Sequence, residues 1–382
     1  MNNDSSICDV SMADGRKCNR PIHDSPLGID PTPVCLMHSL DPEKGREPLL
    51  TQFREKFELE IMTCAAGMGT LDCTRFVFPD INVSFHGRQA QERCIFVKAT
   101  FWGTISFLQQ TFEKGADFNE CIFQKDVSFR GAVFITDTTF ESSQFRGTSD
   151  FIGAEFQASV TFAYAHFGGR AAFRTIFDEA NFKGAMFGDD ANFSSAKFGK
   201  TTSFTFASFR RVTFAETEFA TIDFSNALFA SNANFRKTKF SAVGNTPSAV
   251  FEFAVFSEPE KISFVHTDLR NVLFSNCDLS KVRFSDVIWR TRPYIRKRML
   301  LEEVVSLDDP HCPESLKTST GGRNYNLIAE LYRQLEKVHD DQLDYNSGGD
   351  FHYGDIEMRR LAGRWFHRHF GIEAWYLRVS HP

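Results

Sequence analysis

Between Phe96 and Phe173 the chain places a phenylalanine at every fifth and then every sixth residue, through Phe101, Phe107, Phe112, Phe118 and onward without a miss. Five plus six makes an eleven-residue repeat. Two residues before most of these rings stands something small or β-branched, as at Ala99, Ala116, Cys121, Val127, Ala132, Ser143, Ala154, Val160, Ala165 and Ala171. Residues five apart on a strand face opposite sides, so a straight strand cannot send every ring to one interior. The period is close to three helical turns, but a five-residue step sets alternate rings about 140° apart on a helix. Segments rich in Gly, Thr, Ser and Phe also favour helix less than Ala, Leu or Lys. A coil that turns a corner after every ring fits: each short side sends one Phe inward, and the small residue two positions earlier fills the crowded interior. Asp117, Asn119 and Glu120 then point to water, and substitutions at Asp117 or Asn119 are expected to be nearly silent.

The triplets Ala116-Asp117-Phe118, Ala180-Asn181-Phe182, Ala191-Asn192-Phe193 and Ala233-Asn234-Phe235 resemble the A(D/N)(L/F)xx unit of the pentapeptide-repeat family. The resemblance covers more than half the chain. It implies a mainly β fold, a right-handed quadrilateral parallel β-helix with four short sides per coil. This chain adds a residue at alternate corners, so coils of about 22 residues are expected, falling to near 20 from Phe209 to Phe229, where every step is five. The added residue leaves the turn types open. Irregularities are expected at the four-residue step from Phe173 to Phe177, at Gly244-Asn245-Thr246-Pro247 and at Glu258-Pro259-Glu260. After Phe264 the step is five again through Leu269, Phe274, Leu279, Phe284 and Trp289. From Phe85 to Trp289 this makes roughly ten coils, about 45 Å at a spacing near ~4.8 Å.

The flanks divide the rest of the chain. Residues 1–45 read as a zinc-binding segment and 46–70 as a capping helix, with Leu49, Leu50, Phe53, Phe57 and Ile61 at helical spacing. Residues 71–292 hold the repeats, 293–322 read as a linker, and 323–382 as a helical hairpin with an aromatic and basic tail. A parallel solenoid leaves unpaired backbone at both ends and needs such caps. In the hairpin, Leu327, Ile328, Leu331, Leu335 and Val338 mark an amphipathic helix, and Ser347-Gly348-Gly349-Asp350 reads as a break with an N-cap. The tail interleaves Trp365, Phe366, Phe370, Trp375 and Tyr376 with Arg364, Arg368 and Arg378. It would either cap the solenoid or make peripheral contact with an anionic membrane.

The candidate chemistry lies in the first forty residues. Cys8, Cys18, Cys35 and His38 are spaced C-x9-C-x16-C-x2-H. A Cys-x2-His pair on a tight turn lets thiolate and imidazole meet one ion, and three sulfurs with one nitrogen make a closed tetrahedral zinc site. A segment so short and poor in large apolar residues has no core of its own, and metal would supply its folding energy. The other reading is three reduced thiols and a surface His; His23 is a substitute ligand. Nine scattered cysteines suit a reducing compartment, and the chain reads as cytoplasmic, with membrane association through 364–382 held open.

No Walker loop, GxGxxG, HExxH or GxSxG motif occurs, and a non-enzymatic scaffold for a protein partner is expected. The basic stretch Arg290–Arg298 reads as a soluble linker, or else as a phosphate or lipid contact. A resemblance to the family also admits a DNA-mimicking gyrase inhibitor, since some members imitate the duplex. Charge weighs against that: from Phe96 to Trp289 there are 21 Asp plus Glu and 19 Lys plus Arg, a net of −2, while a duplex carries one negative charge per ~1.7 Å. The net charge of the whole chain, −6, makes nucleic acid an equally poor partner. A membrane-proximal or channel-associated regulatory module is the remaining alternative.

Overall fold

The computed structural model describes residues 7–23, 28–81, 83–84, 89–241 and 244–363. The chain divides into two compact units, residues 1–200 and 201–382, described here in turn. Phe85 and the tail from 364 to 382 lie outside the described residues.

In the N-terminal unit the coils are parallel and most strands are two residues long. Ile122–Phe123 lies between Thr100–Phe101 and Gln144–Phe145, so each residue meets the one 22 positions away. Every ring of the repeat is buried. Rings one coil apart stack face to face: Phe107, Phe129, Phe151 and Phe173 form one ladder with centroids 4.8 to 4.9 Å apart. Edge-to-face contacts such as Phe118 with Phe129 at 5.4 Å join the ladders, the geometry that aromatic quadrupoles favour.

The interior position two before the ring takes a polar residue when that residue can bond a carbonyl one coil away. Thr175 Oγ1 donates to Phe151 O at 2.7 Å, and the Cys121 thiol donates to Phe96 O at 2.8 Å. Thr175 also resolves the short step from Phe173 to Phe177. There the coil loses two residues in succession, Phe156 pairing with Phe177, 21 positions on, and then Val160 with Ala180, 20 on, so the period drops from 22 to 20. The shorter coil thus begins earlier than Phe209.

The corners have a defined form. After Phe96 the Ala99 amide donates to Phe96 O at 2.8 Å and Lys98 has φ of 60°. A positive φ at the third residue of an i-to-i+3 turn is the mark of type II. Corners after Phe107, Phe118, Phe129, Phe140, Phe151 and Phe162 repeat it. The residue before the ring holds the same corner: Asp117 Oδ1 accepts from the Asn119 amide at 3.1 Å, and Asp150 Oδ1 from the Ile152 amide at 2.8 Å. Asp117 and Asn119 are half-buried, and Asn119 Oδ1 accepts from the Glu141 amide of the next coil at 2.9 Å. They face water and also fasten backbone.

Helix α1 (Leu49–Ala65) buries Phe53, Phe57, Ile61 and Cys64. Its rings meet the first coil, Phe57 lying 5.0 Å from Phe78 edge to face, and Phe78 stacks on Phe101 at 4.4 Å.

The C-terminal unit repeats the plan with a period of 20 to 21 residues at its start, Ser208 pairing with Leu228 and Val212 with Ala233. The two expected breaks insert residues without losing register. Past the break at Gly244–Pro247 Leu228 pairs with Val255, 27 positions on, and the 3-10 turn Pro259–Lys261 brings Ala233 opposite Ile262, 29 positions on.

Residues 293–322, read from the sequence as a linker, carry core side chains: Leu300, Leu301, Val305 and Leu316 are buried. Arg290–Thr291 and Arg298–Met299 form an antiparallel pair. Two cations of the basic stretch are paired with acids of the fold, Arg292 with Glu303 at 2.6 Å and Arg298 with Asp350 at 3.0 Å. Helices α2 (Tyr325–Asp341) and α3 (Tyr345–Ala362) form the expected hairpin. The sequence placed the break at 347–350, but those residues lie inside α3, whose N-cap is Asp344, accepting from the Ser347 amide at 3.2 Å. Gly348 serves close packing, since a Cβ there would stand 2.3 Å from Asp340 Oδ1. The hairpin covers the last coil: Trp289 meets Phe351 at 5.4 Å, and edge amides of that coil are capped by side chains, Phe274 N by Glu302 Oε1 at 2.6 Å and Leu279 N by Gln334 Oε1 at 2.8 Å.

Candidate metal centre

The sequence spacing of the four ligands follows from two local folds. Residues 7–21 form a hairpin in which Cys8 N donates to Arg20 O at 2.8 Å and Cys18 N to Val10 O at 2.8 Å. The nine intervening residues are the hairpin's arms and its turn at Gly15, where φ is +80°. Cys8 and Cys18 are therefore neighbours across the ladder. Cys35 and His38 sit on a tight turn closed by His38 N to Cys35 O at 3.0 Å. The bridge between Ile22 and Cys35 brings turn and hairpin together.

The four ligand atoms lie within 4.8 Å of one another. His38 Nδ1 is 3.4 Å from Cys8 Sγ and 3.2 Å from Cys35 Sγ, and the sulfurs of Cys18 and Cys35 are 3.7 Å apart. A zinc ion with Zn–S near ~2.3 Å and Zn–N near ~2.0 Å has tetrahedral edges of roughly 3.7 and 3.5 Å. These edges fit that polyhedron. His38 Nε2 lies 3.0 Å from Thr74 O, an acceptor only, so Nε2 carries the proton and the Nδ1 lone pair faces the sulfurs. This is the outer contact that orients a metal-bound imidazole. Donation from the Cys35 thiol holds Cys18 well below the usual thiol range, with Arg20 Nη1 adding a bond to Cys18 Sγ at 3.2 Å.

His23 is not in the set; its Nε2 faces Asp41 at 3.7 Å. Lys44 was not legible in the sequence. It is fully buried, its ammonium bonded to the carbonyls of Leu36 and Ser39, so it braces the turn that carries Cys35 and His38. Burial pulls its pKa down to about 7. The segment is docked on the first coil by Val77 N to Met37 O at 2.8 Å, by Ala13 N to Asp72 Oδ2 at 3.2 Å and by Arg20, which pairs with Glu60 of α1 and lies over the Phe76 ring.

Residues 118–166 match the family model for pentapeptide repeats. No curated protein sequence matches the chain. Among solved structures there is similarity to HetL, a pentapeptide repeat protein involved in heterocyst differentiation regulation from the cyanobacterium Nostoc sp. strain PCC 7120. Identity is 14% over 51% of this chain and 87% of that chain, with a TM-score of 0.23. Full-length QnrB1, a plasmid-mediated fluoroquinolone resistance protein, shows 12% identity over 59% of this chain and 95% of that chain, also with a TM-score of 0.23. The matched segment lies within coils whose rings, corners and period carry its repeat, and residues 118–166 are a run of pentapeptide repeats folded as part of a parallel β-solenoid.

Proposed function

We propose that this chain is a non-enzymatic scaffold for protein-protein interaction, presenting the flat outer sides of its coils to a partner. A structural zinc ion held by Cys8, Cys18, Cys35 and His38 would fasten the N-terminal segment to the first coil. With four protein ligands, no position is open for water or substrate, so the ion's contribution is to folding. The observation that carries the scaffold reading is the state of the outer surface. Many of its charges are paired from coil to coil: Lys114 with Glu92 at 2.7 Å, Arg130 with Asp150 at 3.0 Å and Lys200 with Asp178 at 2.7 Å in the N-terminal unit, Lys239 with Glu218 in the C-terminal one. A surface so neutralised is a poor imitation of a duplex, and its rigidity, set by the ring ladders beneath, lowers the ordering cost of binding. Among the described residues no helix is long and apolar enough to cross a membrane.

The test is affinity capture with the full chain against chains carrying Ile176→Glu or Met186→Glu, outward side chains that are both 53% exposed. The reading expects a stoichiometric protein partner whose retention falls with at least one of them. Retention of nucleic acid alone, or of nothing, would contradict it.

A further inference from the structure

The thiols of this chain differ in what they meet. Cys8, Cys18 and Cys35 belong to the candidate metal centre. Cys121 and Cys277 fill the small inward position two before a core residue, and each donates to a carbonyl one coil away, Phe96 O and Phe251 O. Cys94 holds the same inward position before Phe96, in register with Ala116 of the next coil. Its sulfur faces another thiol instead: Cys64 Sγ, in the last turn of α1, lies 3.9 Å away. Both residues are buried, at 2% exposure.

Two thiols alone make no closed metal site. The other close pair, Cys18 and Cys35 at 3.7 Å, shares its space with Cys8 and His38. Around Cys64 and Cys94 the described residues bring no third His, Cys or carboxylate into such a set. What two facing sulfurs can do is bond to each other. Bonded sulfurs stand about 2.05 Å apart, so the gap has to close by roughly 1.9 Å. Donation from the Cys94 thiol holds the Cys64 pKa down to about 7, and the same bond, together with burial, pushes Cys94 well up. At neutral pH Cys64 is therefore the nucleophile, and Cys94 keeps its proton. Access comes through the end of the helix. Cys64 lies between Met62 and Met68, which are 60% and 73% exposed, in a terminal turn of the kind that opens locally.

We propose that Cys64 and Cys94 form an oxidative modification site, a thiol pair that hydrogen peroxide converts to a disulfide fastening the capping helix α1 to the first coil. The Cys64 thiolate attacks one peroxide oxygen. An S–O bond forms, the O–O bond breaks and hydroxide leaves, giving a sulfenic acid. The Cys94 sulfur then attacks the Cys64 sulfur: the S–S bond forms, the S–O bond breaks, and the hydroxyl leaves with the Cys94 proton as water. The two sulfurs give up two electrons and the peroxide takes them. The bond joins residues 30 positions apart, a loop whose closure restricts the opened chain, so oxidation steadies the end of the solenoid that α1 covers.

The experiment treats a mixture of isotope-labelled and unlabelled full chain with hydrogen peroxide at neutral pH, blocks free thiols with iodoacetamide, and reads peptides by mass spectrometry with and without reduction. A Cys64–Cys94 peptide pair within one chain is expected, and dithiothreitol should dissolve it. Hydrogen exchange of the amides in 49–65 should slow by about ten-fold in the oxidised chain and recover on reduction. Cys94→Ala places there the residue that the next coil carries, and leaves the sulfenic acid without a partner, so dimedone should capture Cys64. Oxidation confined to Cys8, Cys18 and Cys35, or a Cys64 link found only between labelled and unlabelled copies, would overturn the proposal. So would exchange in α1 that the bond leaves unchanged, or a Cys94→Ala chain that melts like the parent and gives no dimedone adduct at Cys64.

Discussion

Phe129 and Phe151 show what one residue of the repeat contributes. Each ring is fully buried, stacked on both sides and met edge-on by rings of other ladders. Phe129→Ala or Phe151→Ala should lower stability by about 3 to 5 kcal/mol, seen as a fall in the thermal or urea midpoint. Asp117→Ala should cost about 1 kcal/mol, because its carboxylate holds the Asn119 amide at the corner. This revises the expectation of a silent site. A midpoint as sensitive to Asp117 as to Phe129 would contradict the inward assignment of the rings. The rings were legible because burial recurs at a fixed step. The corners were not, because Lys98, Gln109, Glu120 and Ser142 all occupy positive φ, and so varied a set leaves no compositional trace. The carboxylate before the ring was visible as polar, but its bond runs to backbone, which a side-chain pattern does not record.

At the scale of elements, the C-terminal cap joins the coil through Glu302, whose fully buried carboxyl accepts from Phe274 N. Burial pushes its pKa up to about 7 from an ordinary 4.5. A raised folded-state pKa means that the folded chain holds a proton the unfolded chain has released. Its stabilising contribution is fully present below about pH 4.5 and is lost as pH rises through 7. Glu302→Gln keeps the acceptor and removes the titration, so the variant should melt higher than the parent at pH 8, by up to about 3 kcal/mol, and lose that advantage near pH 4.5. Melting curves at the two pH values check this; an advantage equal at both would point to packing instead. The sequence disclosed α1 and α2 through their apolar spacing. It misplaced the start of α3, because Gly348-Gly349 reads as a break when the partner helix that requires Gly348 is unseen. The stretch 293–322 read as a linker because its buried residues lie in 3-10 turns and a short hairpin, which have no periodicity to detect.

At the scale of the whole molecule, a core of repeated rings leaves outer surfaces whose charges are engaged between neighbouring coils. The net charge of −6 over 382 residues adds no strong field. A parallel solenoid depends on its ends, where backbone is left unpaired. The candidate metal centre belongs to that requirement: His38 binds Thr74 of the first coil, Met37 pairs with Val77, and the hairpin reaches Asp72. Its candidate ligands, which the structure brings together, were legible from Cys35-x2-His38 and from the lack of a local core. Lys44 was not, because a lysine between Glu43 and Gly45 reads as solvated. With the proposed zinc bound, the centre would couple N-terminal packing to metal, and a chelator at neutral pH should then loosen residues 7–39 first and leave the later coils folded, with hydrogen exchange as the readout. The most direct measurement is elemental analysis of the intact chain prepared without chelator, alongside Cys35→Ser. One zinc per chain is predicted, absent from the variant, with the β-rich circular dichroism of both unchanged; a parent chain free of zinc would contradict the account.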